Sequence, residues 1–267
     1  MREIDIIHQH TNAPLEAFVH GSMCMAYSGR CQISNYLAGR DPNRGACIQA
    51  CRFNYKFREY ALEEELRPGE HFPVYEDNRG TYLLNSKDLC MIEHLPELIQ
   101  SGVSSFKIEG RLKSIYYVGT VIRAYRQAID LLHKKPASYE QQKHKFKQEL
   151  EKVAHRGFTT GFYFNKPTPE TNNYASSKPT SDWQYAGDIL EHNTTTRLVT
   201  VSTRNQIKVG DRAEFITPNE IISFNIKEIY QDGASIDRAN PNATIQIPVD
   251  SIIPSQSLMR IRTSKQN

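Results

Sequence analysis

Four of the chain's five cysteines fall in its first fifth, spaced Cys24-x6-Cys31-x15-Cys47-x3-Cys51. Four converging thiolates satisfy either an iron–sulfur cluster or a structural zinc, because both are held by soft sulfur ligands. Zinc sites commonly pair their cysteines through knuckles of about two to four residues. Only Cys47-x3-Cys51 is that short, and irregular spacing suits a cluster seated in loops, but spacing by itself leaves the metal open. Disulfides are the rival arrangement. The odd fifth cysteine, Cys90, and the lack of an apolar signal segment ahead of Cys24 speak against them and for a reducing, cytoplasmic location. Cys90, between Leu89 and Ile92, is read as a packing residue inside a helix.

Arg30, Arg40, Arg44 and Arg52 lie in or beside the cysteine segment, and Lys107, Glu109, Arg111 and Lys113 form a second polar group. Guanidinium groups make paired, directional hydrogen bonds to carboxylates and phosphates, so these eight residues are candidates for substrate binding. The competing role for several of them is to hold loop backbones or balance cluster charge. Lys107 and Glu109 alternate along one strand face, and Asp41 and Asn43 are read as fixing the cysteine loop. No serine elbow and no His-Glu-x-x-His pattern occurs, so no residue is assigned as catalytic.

These residues must be positioned by the elements around them. Leu15 to His20 reads as a strand, and Ser86 as the cap of a helix carrying Leu89, Ile92, Leu95 and Ile99 until Ser101-Gly102 stops it. Ser105 to Glu109 is a strand leading into the turn at Gly110. A long helix follows, with Tyr117, Val121, Ala124, Tyr125, Ala128 and Leu132 on one face and Pro136 at its end, and then a charged helix from Tyr139 to His155. This alternation implies β/α organisation with polar residues at strand ends. Residues 1–166 are expected to form that domain, and 167–181, rich in Pro, Thr, Asn and Ser, a linker. Residues 182–258 hold short β-branched segments between Asn, Gly and Asp turns and predict a small barrel-like domain, with 259–267 as a flexible tail.

At 267 residues the chain has room for one large domain or two ordinary ones. It is 39% hydrophobic and 24% charged, without an apolar run near the roughly 18 residues of a membrane span, so no membrane partner is expected. The formal charge of +3 permits a nucleic-acid partner without requiring one.

Three stretches carry a family resemblance. Glu16-x-Phe18-x2-Gly21-x2-Cys24-x4-Gly29-x-Cys31-x2-Ser34 resembles the defining pattern of the U32 peptidase, or collagenase-like protease, family. The likeness continues through Arg40-Asp41-Pro42-Asn43-Arg44-Gly45-x-Cys47-x3-Cys51-Arg52, Asn85-Ser86-Lys87-Asp88-Leu89 and Lys107-Ile108-Glu109-Gly110-Arg111-x-Lys113-Ser114. The nearest branch resembles proteins that hydroxylate the wobble uridine of tRNA to 5-hydroxyuridine without molecular oxygen, with prephenate as the source of the hydroxyl group. The resemblance therefore implies a tRNA partner, prephenate as co-substrate, and a [4Fe–4S] cluster on Cys24, Cys31, Cys47 and Cys51. Related branches act on 23S rRNA and on ubiquinone. Peptide hydrolysis and a non-catalytic RNA-binding or assembly role are the alternatives.

For the fold, the resemblance implies the C-terminal portion of a TIM-type (β/α)8 barrel followed by a small all-β barrel-like domain. A complete barrel takes about 250 residues. Residues 1–166 are accordingly expected to supply only its later strands, with a separate polypeptide providing the N-terminal half, or a U32 paralogue as partner.

Overall fold

The computed structural model describes residues 1–23, 38–40, 46–49, 62–63, 71–72, 75–77, 80–82, 86–111, 113–165 and 180–263. They divide into two compact units, Met1–Arg111 with His155–Thr180, and Leu112–Ala154 with Ser181–Asn267.

In the first unit helix α1 (Arg2–His10) precedes strand β1 (Leu15–Gly21). Two short antiparallel ladders follow, β2 (Leu62–Glu63) with β3 (His71–Phe72) and β4 (Tyr75–Asp77) with β5 (Gly80–Tyr82). Then come β6 (Asp88–Cys90), helix α2 (Leu95–Gln100), β7 (Val103–Ile108) and, later in the chain, β8 (Phe158–Thr159). The main sheet has the order β7-β1-β6-β8. β1 runs parallel to β7 and antiparallel to β6, and β6 runs parallel to β8. Val19, Met91, Ile92, Leu95, Leu98 and Val103 are buried and form the apolar interior that holds α2 to these strands.

β1 and β7 lie where the sequence predicts them. The segment after Ser86 does not form the expected long helix. Asp88–Cys90 is a buried strand, and the helix starts only at Leu95 with Pro96 in its first turn. Backbone pairing explains the difference. β6 is bonded on both sides, His20↔Cys90 and Gly21↔Leu89 to one neighbour, Asp88↔Phe158 and Leu89↔Thr159 to the other, so its buried polar groups are satisfied. Proline is favourable near a helix start and fixes where the helix begins. Cys90 is thus buried in a strand, not a helix.

The sheet also overturns the expectation of a (β/α)8 barrel portion. Neighbouring strands of such a barrel are all parallel and each is followed by a helix. Here β1 and β6 are antiparallel, the sheet is open, and only four helices occur among the described residues of both units.

The second unit opens with α3 (Ile115–Lys134) and α4 (Pro136–Leu150). Ser114 caps α3, its Oγ accepting from the Tyr117 N–H at 3.2 Å, and Tyr117, Val121, Ala124, Tyr125 and Ala128 are buried along one helical stripe. Pro136, which cannot donate into α3, occupies the first position of α4. The charged helix ends at Leu150, short of the His155 expected from its pattern.

The remaining strands are β9 (Trp183–Asn193), β10 (Leu198–Thr203), β11 (Ile207–Lys208), β12 (Arg212–Ile216), β13 (Ile221–Asn225), β14 (Ile229–Gln231), β15 (Ala234–Ile236), β16 (Arg238–Ala239), β17 (Thr244–Pro248) and β18 (Leu258–Arg262). Eight form an antiparallel sheet in the order β13-β12-β18-β9-β10-β17-β14-β15, while β11 pairs with β16. Alternation along β10 and β17 buries Val199, Val201, Ile245 and Ile247, which join Ile189, Phe215, Ile229 and Met259 in one hydrophobic cluster. Each such side chain contributes about 1.5–3 kcal/mol when fully buried. The Phe215 and Phe224 rings stack at 4.6 Å.

Two further expectations fail here. No ladder joins the edge strands β13 and β15, so the sheet is open and not a closed barrel. Residues 259–262, expected in a tail, lie in β18, which is bonded on both sides by β12 and β9. Among the described residues no helix is long and apolar enough to cross a membrane.

Candidate functional site

Strand direction gathers the candidate site at one end of the first unit's sheet. His20 registers with Ile108 across the parallel pair β1 and β7, so Glu109–Arg111 emerge beside Gly21–Met23, the residues that run into Cys24. β6 is antiparallel to β1, with Leu89 opposite Gly21, which brings Asp88 to the same end. The backbone ties these exits together, for the Glu109 N–H donates to the His20 carbonyl at 2.9 Å. Glu109 Oε1 accepts from the Arg111 N–H at 2.9 Å and so shapes the turn that presents the exposed Arg111.

Beneath this edge lies a buried polar group. Asp88 is 1% exposed, accepts from the Arg156 N–H at 3.3 Å and faces Arg156 Nη1 at 3.8 Å. A carboxylate is tolerated in such a place because a cation and backbone donors compensate its lost hydration. The Asp88 N–H donates to the Gly157 carbonyl at 2.9 Å, locking β6 to the turn before β8. His20 is also buried, its ring 5.6 Å from that of Phe158, against which His155 stacks at 4.4 Å. The Gly157 N–H donates to His155 Nδ1 at 2.9 Å, which leaves the ring proton of neutral His155 on Nε2.

Cys24, Cys31, Cys51, Arg30, Arg44 and Arg52 lie outside the described residues, as do Asp41 and Asn43. Cys47 is half-buried and its Sγ accepts from the Gln49 N–H at 3.3 Å. Gln49 has φ 58°, a left-handed conformation that turns this N–H back onto the sulfur two residues earlier. Such donors stabilise a thiolate and suit a sulfur that binds metal. Among the described residues no group of three or more His, Cys, Asp or Glu side chains is arranged to hold a metal ion.

The other predicted residues are spread. Arg40 is exposed in an irregular segment. Lys107 sits mid-strand, its Nζ 2.8 Å from Glu16 Oε1 and 5.3 Å from the Phe18 ring centre. The hydrogen bond from Lys107, helped by Ser105, holds the Glu16 carboxyl below its ordinary pKa. Lys113 belongs to the second unit, with its Nζ 4.8 Å from the Tyr117 ring centre. Of the eight proposed binding residues, Glu109 and Arg111 are the described pair at the β1 exit. Asp88 and Arg156 were not singled out by sequence reasoning. Asp88 falls in the Asn85–Leu89 motif, but nothing local connects it with a residue 68 positions away.

The model of peptidase family U32 matches residues 1–173, and that of the peptidase family U32 C-terminal domain matches residues 181–260. The "tRNA hydroxylation protein P1" of Bacillus subtilis strain 168 is 34% identical over 261 residues, covering 97% of this chain and 60% of that protein. The "tRNA hydroxylation protein P" of Escherichia coli K12 is 35% identical over 260 residues, covering 84% of this chain and 56% of that protein. A "Collagenase" of Porphyromonas gingivalis is 29% identical over 251 residues, covering 92% and 65% respectively. The chain thus spans 56% to 65% of the length of these relatives. With family models matching across both units, the chain belongs to peptidase family U32.

Proposed function

We propose that the chain serves in the oxygen-independent hydroxylation of tRNA wobble uridine to 5-hydroxyuridine, with prephenate as the source of the hydroxyl group. The observation that carries this reading is the similarity, over most of the chain, to two relatives named as tRNA hydroxylation proteins. Cys24, Cys31, Cys47 and Cys51 would hold a [4Fe–4S] cluster, a role the all-sulfur donor set and the N–H donor to Cys47 both favour. Such a cluster, when bound, supplies one-electron chemistry.

The chain's own residues bind and orient. Arg111, exposed at the β1 exit, accepts a carboxylate of the co-substrate, while Arg30, Arg40, Arg44, Arg52, Lys107 and Lys113 neutralise the remaining negative charge, the tRNA phosphates included. Titration of the anaerobic protein with prephenate tests this assignment. Arg111→Ala is expected to weaken binding by about tenfold or more, as for loss of one charge-assisted hydrogen bond; unchanged affinity would refute the role of Arg111. Peptide hydrolysis is the second reading, favoured by the relative named Collagenase. Cleavage of collagen by metal-replete, protease-free protein would establish it.

A further inference from the structure

At Gly21 the backbone has φ +132°, and a Cβ there would lie 2.7 Å from Glu109 Cβ and 2.8 Å from the Glu109 carbonyl oxygen. Two strands therefore touch through backbone and first side-chain carbon, at the last residue of β1 and the first after β7. The contact is braced on both flanks. The Glu109 N–H donates to the His20 carbonyl at 2.9 Å, and Glu109 Oε1 receives the Arg111 N–H at 2.9 Å, so neither end of Glu109 can yield independently. On the other side Met23 lies over Gly161, where a Cβ would stand 3.1 Å from Met23 Cε and 3.3 Å from Leu89 Cδ1. Gly161 has φ +58°, the left-handed region that favours glycine. The exit of β1 thus runs between Glu109 and the Gly161 turn.

We infer that Glu109 is a positioning residue whose backbone and Cβ form a wall against Gly21, fixing the path by which the chain delivers Cys24. The inference rests on the cluster reading for its purpose, and it gives Glu109 a role different from substrate binding. A wall depends on the side-chain carbons and on the acceptor for Arg111, not on the negative charge. Glu109→Gln keeps all of these, whereas Glu109→Gly removes the Cβ and the acceptor together.

The test is alkylation of the full, metal-free chain by iodoacetamide, followed cysteine by cysteine by mass spectrometry. Glu109→Gly is expected to change the Cys24 rate by about tenfold, the scale of losing a constraint on a strained backbone, with Cys47 unaffected; Glu109→Gln should match wild type. Buried Cys90 reports the integrity of the sheet. If Cys90 becomes reactive in Glu109→Gly, Glu109→Ala, which keeps the Cβ and loses only the acceptor, takes its place and should still change the Cys24 rate by about threefold. Wild-type Cys24 kinetics in the folded variant overturn the inference, as does an equal change in Glu109→Gln. In the anaerobically reconstituted protein the same variant should lose iron to a chelator faster than wild type. Wild-type protein that takes up no iron or sulfide would defeat the cluster reading, while the alkylation rates would still decide the role of Glu109.

Discussion

Arg260 Nη1 lies 2.7 Å from Glu149 Oε1, joining a fully buried guanidinium in strand β18 to helix α4. The same guanidinium donates from Nε to Glu214 Oε2 of β12 at 2.7 Å, with Nη2 bonded to that oxygen as well, and its Cζ stands 5.1 Å from the Trp183 ring centre. Burial disfavours its charge, but Glu149 and Glu214 outweigh that cost and hold Arg260 protonated. Beside it, burial pushes the Tyr116 hydroxyl up to about 12, and that hydroxyl donates to the Lys152 carbonyl at 2.7 Å.

Arg260→Met is expected to destabilise the second unit by about 3–5 kcal/mol, because Glu149 and Glu214 would lose their principal cation. Arg260→Lys should recover only part of the loss, since an ammonium cannot span both carboxylates as the planar fork does. Urea unfolding followed by the fluorescence of Trp183, the only tryptophan in the chain, measures both. A Lys variant as stable as wild type would contradict the account.

Glu214 gives this network a pH dependence. Burial pushes its carboxyl up, but Arg260 and Lys152, the latter with Nζ 3.2 Å away, more than reverse the shift and hold the pKa below the ordinary glutamate value of 4.5. Its stabilising contribution is therefore present above that value and lost as pH falls through the lowered folded one. Unfolding free energies measured from neutral pH down to about pH 3 should show this acid limb. Glu214→Gln should flatten it; an identical acid limb in the variant would exclude Glu214 as its source.

Gly187 is required by close approach of backbone. A Cβ on this β9 residue would lie 2.4 Å from the Ser202 carbonyl oxygen and 2.8 Å from Val201 Cγ1, next to the irregular register at Thr200 and Val201. Gly187→Ala should cost about 1–3 kcal/mol by overpacking. Faster hydrogen exchange at β10 amides would locate the damage, whereas stability within about 0.5 kcal/mol of wild type would show that the strands can part freely.

Regular periodicity made β1, β7 and α3 legible, because Phe106 and Ile108 alternate in β7 and Tyr117 to Ala128 recur at helical spacing in α3. β6 was hidden by coincidence. Leu89, Ile92, Leu95 and Ile99 also fit a helix, and only pairing with residues far along the chain decides that Asp88–Cys90 is a strand. β18 was missed for a chemical reason: Leu258-Met259-Arg260-Ile261-Arg262 reads as half charged, and Arg260 can be buried only because Glu149 and Glu214 arrive from other elements. At the candidate site, Glu109 and Arg111 were visible in a local motif. The pairing of Asp88 with Arg156 was not, since no local spacing reports a contact between residues 68 positions apart.

The central claim is tested most directly by mass spectrometry of tRNA nucleosides from a strain deleted for this gene and for any other U32 member. Deletion should abolish 5-hydroxyuridine, the intact gene should restore it, and a Cys47→Ser copy should not, because one thiolate of the ligand set is then replaced by a hydroxyl. Unchanged 5-hydroxyuridine in the deleted strain, or full restoration by Cys47→Ser, would contradict the account.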